Sequence, residues 1–237
     1  VKKTLLLLSI AVLSLATFAS ADNFDTFSSR AQQNPSDYFD WGQIAPPGTQ
    51  VNTPQLVVSF TGNNAGLVGN IDNSPFLTMQ EGSTWTGNFD YGENLLWTGN
   101  SNFGIGGLGP MALVFANPVG TVGFSISADF YGPFTAYLTA FDVNGNQLFT
   151  YSADGVSNGL ENGSALFMGL GDKSGDNISY IEYTISSSVD PSANNDFAID
   201  AVSIGYGYAP VPEPSSLVLL GTGLLGMAGV VRRKLNR

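Results

Sequence analysis

The sequence predicts an all-β protein folded as an antiparallel β-sandwich. Three observations carry this. Between residues 122 and 204 apolar and polar side chains alternate, as half-buried strands require. Turn residues are dense, with 29 glycines and many Asn, Asp and Ser between the alternating runs. No segment between 22 and 211 carries a long helical stripe, so packed sheets are the means of burying a core.

Lys2-Lys3, an apolar run over 5–16 and Ala19-Ser20-Ala21 form the three parts of a secretory signal peptide. Cleavage after Ala21 makes Asp22 the first mature residue, and Val1 reads as an alternative start codon. Residues 22–54 are polar and punctuated by Pro35, Pro46, Pro47 and Pro54, which suits a lead-in strand or loop draped on the core. Val122, Phe124 and Ile126 point one way, and Ser125 and Ser127 the other. Strand 134–142 is followed by Asn144-Gly145, a two-residue hairpin signal whose central positions both need positive φ. A return strand over 147–152 follows. Ile181, Tyr183 and Ile185 alternate again, as do Ala198, Asp200, Val202 and Ile204. The expected domain is therefore 22–211, of 190 residues, enough for one sizeable core.

Composition narrows the function. Residues 22–211 hold 18 acidic side chains against Arg30 and Lys173, a net charge near −16. Such a field repels nucleic acid and favours solubility or divalent cations. The chain has no Cys and no His. That removes disulfides, the usual general base, Ser-His-Asp and Cys-His catalysis, and most zinc sites.

The C-terminus has three parts. Pro212-Glu213-Pro214 excludes helix and strand and leaves an extended segment. Residues 215–231 carry no charge over 17 positions, roughly 26 Å as a helix and just long enough for a thin bilayer core. Arg232, Arg233 and Lys234 stop that transmembrane span and, by the positive-inside rule, stay cytoplasmic. These residues resemble the PEP-CTERM sorting signal of Gram-negative bacteria in order and spacing, over 212–237. The resemblance implies an exosortase as partner, cutting near Pro212-Glu213-Pro214. It implies transient anchoring in the membrane, then the cell surface or extracellular matrix, in a cell that makes exopolysaccharide. Residues 122–204, ending in Asp196-Phe197-Ala198-Ile199-Asp200-Ala201-Val202, resemble the jelly-roll-like β-sandwich modules that often precede this signal. Ala201 departs from the Asn common there.

Candidate sites are few. Trp85-Thr86-Gly87-Asn88 recurs 12 residues later as Trp97-Thr98-Gly99-Asn100, with a weaker copy at Phe60-Thr61-Gly62-Asn63. The pattern reads either as reused turn chemistry or as a sugar platform of Trp85 and Trp97, with Trp41 as a third aromatic. Asp200 within an apolar run needs a partner, by hydrogen bonds or by a structural Ca²⁺ shared with Asp25. Asp142-x-Asn144-x-Asn146 spaces oxygen ligands as calcium loops do but lacks the later Glu. Glu93 and Glu161 are the candidates for carboxylate glycoside hydrolysis. The glycines of 104–109 open no helix and are followed by no Lys, so they make a loop and not a nucleotide site. Three functions stay open: a non-enzymatic surface or matrix protein associated with exopolysaccharide, a carbohydrate-binding module, and a glycoside hydrolase.

Overall fold

The computed structural model describes residues 23–51, 57–60, 63–68, 76–99 and 109–207. The expected signal helix, the sorting tail with its membrane span, and the glycine loop at 104–108 lie outside these residues. Among the described residues no helix is long and apolar enough to cross a membrane.

The first strands are β1 (Phe24–Phe27), β2 (Asp37–Phe39), β3 (Gln50–Val51), β4 (Val57–Phe60), β5 (Asn63–Val68), β6 (Phe76–Gln80) and β7 (Asn94–Trp97). Then come β8 (Met111–Val119), β9 (Thr121–Ala128), β10 (Gly132–Phe141), β11 (Gln147–Ser157) and β12 (Leu166–Asp172). The last are β13 (Ile178–Ser187), β14 (Phe197–Ile199) and β15 (Val202–Gly205). One short helix, α1 (Arg30–Gln33), follows β1. Among the described residues all pairings between these strands are antiparallel, in two sheets. The nine-stranded sheet runs β1-β12-β9-β14-β7-β6-β3, with β15 also on β9 and β2 beyond β15. The six-stranded sheet runs β11-β10-β13-β8-β5-β4.

Alternation places the core between the sheets. Phe124, Ile126, Met168 and Leu170 of the larger sheet meet Leu113, Leu138, Ile181 and Tyr183 of the smaller, all fully buried. The all-β sandwich expected from the alternation is the architecture observed. The opposite face of the larger sheet, towards which Ser125 and Ser127 point, is partly covered. A second apolar cluster lies there, in which Leu77, Met79, Leu95 and Ala198 are roofed by Trp85 and Phe89 from the β6–β7 loop.

Two local readings are corrected. The β10–β11 turn is a three-residue loop closed by Asp142 N–H to Asn146 C=O (2.9 Å), and only Gly145 takes positive φ (79°). Asp142 explains the difference: its carboxylate accepts from the N–H groups of Asn144 and Asn146, both at 2.8 Å, and so holds the longer turn. Residues 197–205 are not one regular strand either. Phe197, Ala198 and Ile199 pair with Ala128, Ser127 and Ile126, whereas Ser203, Ile204 and Gly205 pair with Gly123, Val122 and Thr121. The second register holds one residue more, so Asp200 and Ala201 together oppose Ser125. This is a β-bulge, and it moves the inward-facing set from Phe197 and Ile199 to Val202 and Ile204.

Candidate binding site

The bulge builds the site. Asp200 N–H donates to Ser125 C=O (3.0 Å), while the Asp200 side-chain Oδ1 takes the Ser125 N–H that a regular ladder would give to a carbonyl. The two spare carbonyls find side-chain donors. Trp41 Nε1 donates to Asp200 O (2.7 Å), and Arg30 donates from the guanidinium to Ala201 O (2.6 Å). The same guanidinium nitrogen lies 3.1 Å from Asp200 Oδ2.

Arg30 is delivered by α1. Ser29 caps that helix, and Asn34 ends it in the left-handed region (φ 50°). Gln33 pins it to the sheet, donating to Ser203 O (3.1 Å) and accepting from Ser203 Oγ (2.6 Å). The approach requires a glycine beneath: a Cβ on Gly123 would lie 2.5 Å from Gln33 Oε1 and 2.6 Å from the Phe167 ring. Arg30 then extends over Phe167, 5.8 Å from its centroid.

Opposite Arg30 stand two loops joined by Asn88. Its amide oxygen accepts from Asn158 N–H (2.7 Å) and Ser127 Oγ (3.2 Å), and its amide nitrogen donates to Val156 O and Ser164 Oγ, both at 3.0 Å. The β6–β7 and β11–β12 loops are thereby fixed over β9. Between them and α1 lies a recess of about 310 Å³. Ser125 and Asp200 line it together with Arg30, Phe167, Phe89, Asp90 and Glu93.

Burial pushes Asp200 up to about 6, against the pull of Arg30 and of the Ser125 N–H. Burial raises Glu93 as well, with the Asp90 charge adding to it and the Asp90 N–H and Arg30 opposing it. The site offers a guanidinium, three carboxyls and serine hydroxyls between two phenyl rings. That set suits a polyhydroxylated ligand, with fixed donors and acceptors for hydroxyls and apolar walls for C–H faces.

The structure brings together two residues that the sequence singled out separately, Asp200 and Glu93. Glu161 lies in the β11–β12 loop and does not line the recess. Asp25 and Asp200 do not converge. Asp25 sits on β1, two strands from β9, and pairs with Lys173 (2.8 Å), while Asp200 holds Arg30. Their expected sharing of one Ca²⁺ gives way to two separate ion pairs; among the described residues no three acidic groups form a metal cluster. Asp142 spends its carboxylate on its own turn.

The tryptophan platform is also corrected. Trp85 and Trp97 do meet, edge to face at 6.2 Å, but they are 5 % and 7 % exposed in the second apolar cluster, and Trp41 is fully buried. Their faces pack on protein because the apolar outer face of β6, β7 and β14 needs a cover. The echo is reused end-of-strand chemistry at Phe60 and Trp97, which close β4 and β7, while Trp85 lies in a loop. Arg30 escaped sequence reasoning. Its signal was arithmetical: a buried Asp in a domain with two basic residues draws on one of them.

The described sandwich leads directly to the tail. Residues 210–234 match the PEP-CTERM protein-sorting motif. The match marks an exported protein targeted to an exosortase. Pro212, Glu213, Pro214, Arg232, Arg233 and Lys234 lie within it. Those residues, and Ala19 and Ala21 at the expected signal cleavage, are outside the described structure. No curated protein matches the chain. Among solved structures, the crystal structure of a DUF4465 family protein from Bacteroides caccae is similar at 11 % identity and a TM-score of 0.35, covering 80 % of this chain and 96 % of that one.

Proposed function

We propose that this chain is a non-enzymatic protein of the cell surface or extracellular matrix of a Gram-negative bacterium. It is anchored by the 215–231 span until an exosortase cuts near Pro212-Glu213-Pro214, and it then associates with exopolysaccharide. The observation that carries the sorting part is the motif at 210–234. Support for the absence of catalysis comes from the engagement of the recess carboxylates within the protein: the two oxygens of Asp200 are taken by Ser125 and Arg30, and Glu93 Oε2 accepts from Asp90 N–H (3.0 Å). Intact-mass measurement on each cell fraction tests the reading. A chain from Asp22 to the neighbourhood of Glu213, outside the cell, is expected; a membrane-bound chain still ending at Arg237 overturns processing.

A second reading, a carbohydrate-binding module, rests on the recess and not on the tryptophans. Trp41 donates to the Asp200 carbonyl, so its fluorescence reports on the recess floor. Titration with neutral polysaccharides should shift that emission, and Arg30→Ala should abolish the shift. A flat response across a broad glycan panel would sink this reading while leaving sorting untouched.

A further inference from the structure

Sheet edges expose alternate N–H and C=O groups and so invite another strand. Among the described residues the other edges are short: β1 and β4 have four residues, β2 three and β3 two. β11 differs. It runs 11 residues at the end of the six-stranded sheet and pairs, among the described residues, with β10 alone. It holds no Lys, Arg or Pro, the usual guards of an edge, and Asp154 is its single charge. Thr150, Ser152, Asp154 and Val156 are exposed along it, and its ladder with β10 is regular from Phe149 onward.

We infer that β11 pairs with β11 of a second copy, antiparallel about a two-fold axis at Ser152, so that two six-stranded sheets become one continuous sheet. The strand is self-complementary in that register. Tyr151 opposes Ala153, Phe149 opposes Gly155, Thr150 opposes Asp154, and Ser152 opposes its own copy. Aromatic side chains thus meet small ones on the core-facing side. On the outer side the Thr–Asp pairing repeats one already made within the molecule, where Thr135 Oγ1 donates to Asp154 Oδ1 (2.7 Å). The two Asp154 carboxylates sit four residues apart along the ladder, about 13 Å, beyond the ~8 Å screening length at physiological salt. Centring on Tyr151 would set Asp154 against Leu148, and centring on Ala153 would set Thr150 against Val156. An isologous contact of this kind closes as a dimer. The inference is independent of any glycan.

The chain has no Cys, so single cysteines read the register directly. The full chain is expressed carrying Ser152→Cys, Thr150→Cys or Thr184→Cys, and the exported protein is run on non-reducing gels. Ser152→Cys should run at twice the monomer mass and return to monomer on reduction. Thr150→Cys, which opposes Asp154, and Thr184→Cys, on interior β13, should remain monomeric. Ser152→Lys places two ammonium groups opposite each other and should halve the mass seen by light scattering, whereas Thr184→Lys should not. A wild-type monomer at high micromolar concentration overturns the proposal. So does equal crosslinking at all three positions, or a dimer indifferent to Ser152→Lys.

Discussion

At Asp200 the strand over 197–205 takes one residue more than its partner, and the carboxylate substitutes for a backbone acceptor. The side chain is 95 % buried and its charge costs free energy, since burial outweighs Arg30 and lifts its pKa to about 6. The sign follows. The folded state holds the Asp200 proton more tightly than the unfolded chain, whose Asp titrates near 3.8. The associated stability is full below 3.8 and is lost as pH rises through 6. Between pH 4 and 7 this residue alone should lower stability by on the order of 2 kcal/mol. Asp200→Asn keeps an oxygen for Ser125 and removes the titration, so its stability should fall less over that range. Urea midpoints of both proteins at pH 4, 5, 6 and 7 check this. Parallel profiles would mean that the Arg30 ion pair fully offsets burial. Asp200→Ala should be worse than Asn at every pH, by about 1–3 kcal/mol, because the Ser125 N–H loses its acceptor.

Above single residues, the β6–β7 loop decides whether the outer face of the larger sheet is dry. Its Trp85 and Phe89 roof the second cluster, and its Asn88 spends all its amide hydrogen-bonding groups on β9, β11 and the β11–β12 loop. Asn88 also sits at positive φ (65°), which Asn tolerates better than most residues. Asn88→Ala should therefore cost about 2–4 kcal/mol, through lost bonds to buried backbone and through strain. Hydrogen exchange should show the loss confined to residues 81–93 and 158–165, with β10 and β13 still protected. Uniform deprotection would argue against a separable loop unit. This loop also marks the limit of sequence reading. Period-2 alternation identifies strands such as β9 and β13, because each buries one face along its whole length. It cannot show that Ser125 and Ser127 face a cover, since the cover comes from residues 81–93 and 158–165, distant in sequence. For the same reason Trp85 and Trp97 look like a platform until the loop is folded over them. The bulge at Asp200 was equally hidden: alternation over Ala198, Asp200, Val202 and Ile204 is unbroken in sequence, and only the pairing with β9 reveals the extra residue.

The whole molecule carries a charge problem that no single pair resolves. Residues 22–211 hold 18 acidic groups against two cations, and both cations are engaged, Arg30 with Asp200 and Lys173 with Asp25. The remaining carboxylates repel one another, so the compact state is opposed by its own field at neutral pH. Screening should relieve this. Raising NaCl from 10 to 200 mM shortens the Debye length from about 30 Å to below 10 Å and should lift the melting temperature by about 2–4 °C, equivalent to roughly 1 kcal/mol in a domain of this size. The same experiment separates diffuse from specific cation effects. If the carboxylates act only as a diffuse field, CaCl₂ and NaCl at equal ionic strength give nearly equal rises. A shift that saturates at submillimolar CaCl₂ would instead require a discrete site, because a diffuse atmosphere does not saturate there while a site gains by mass action. Asp200→Asn then locates it. A calcium response that survives the substitution lies away from the recess, and one that disappears with it means that Ca²⁺ competes with Arg30 for that carboxylate.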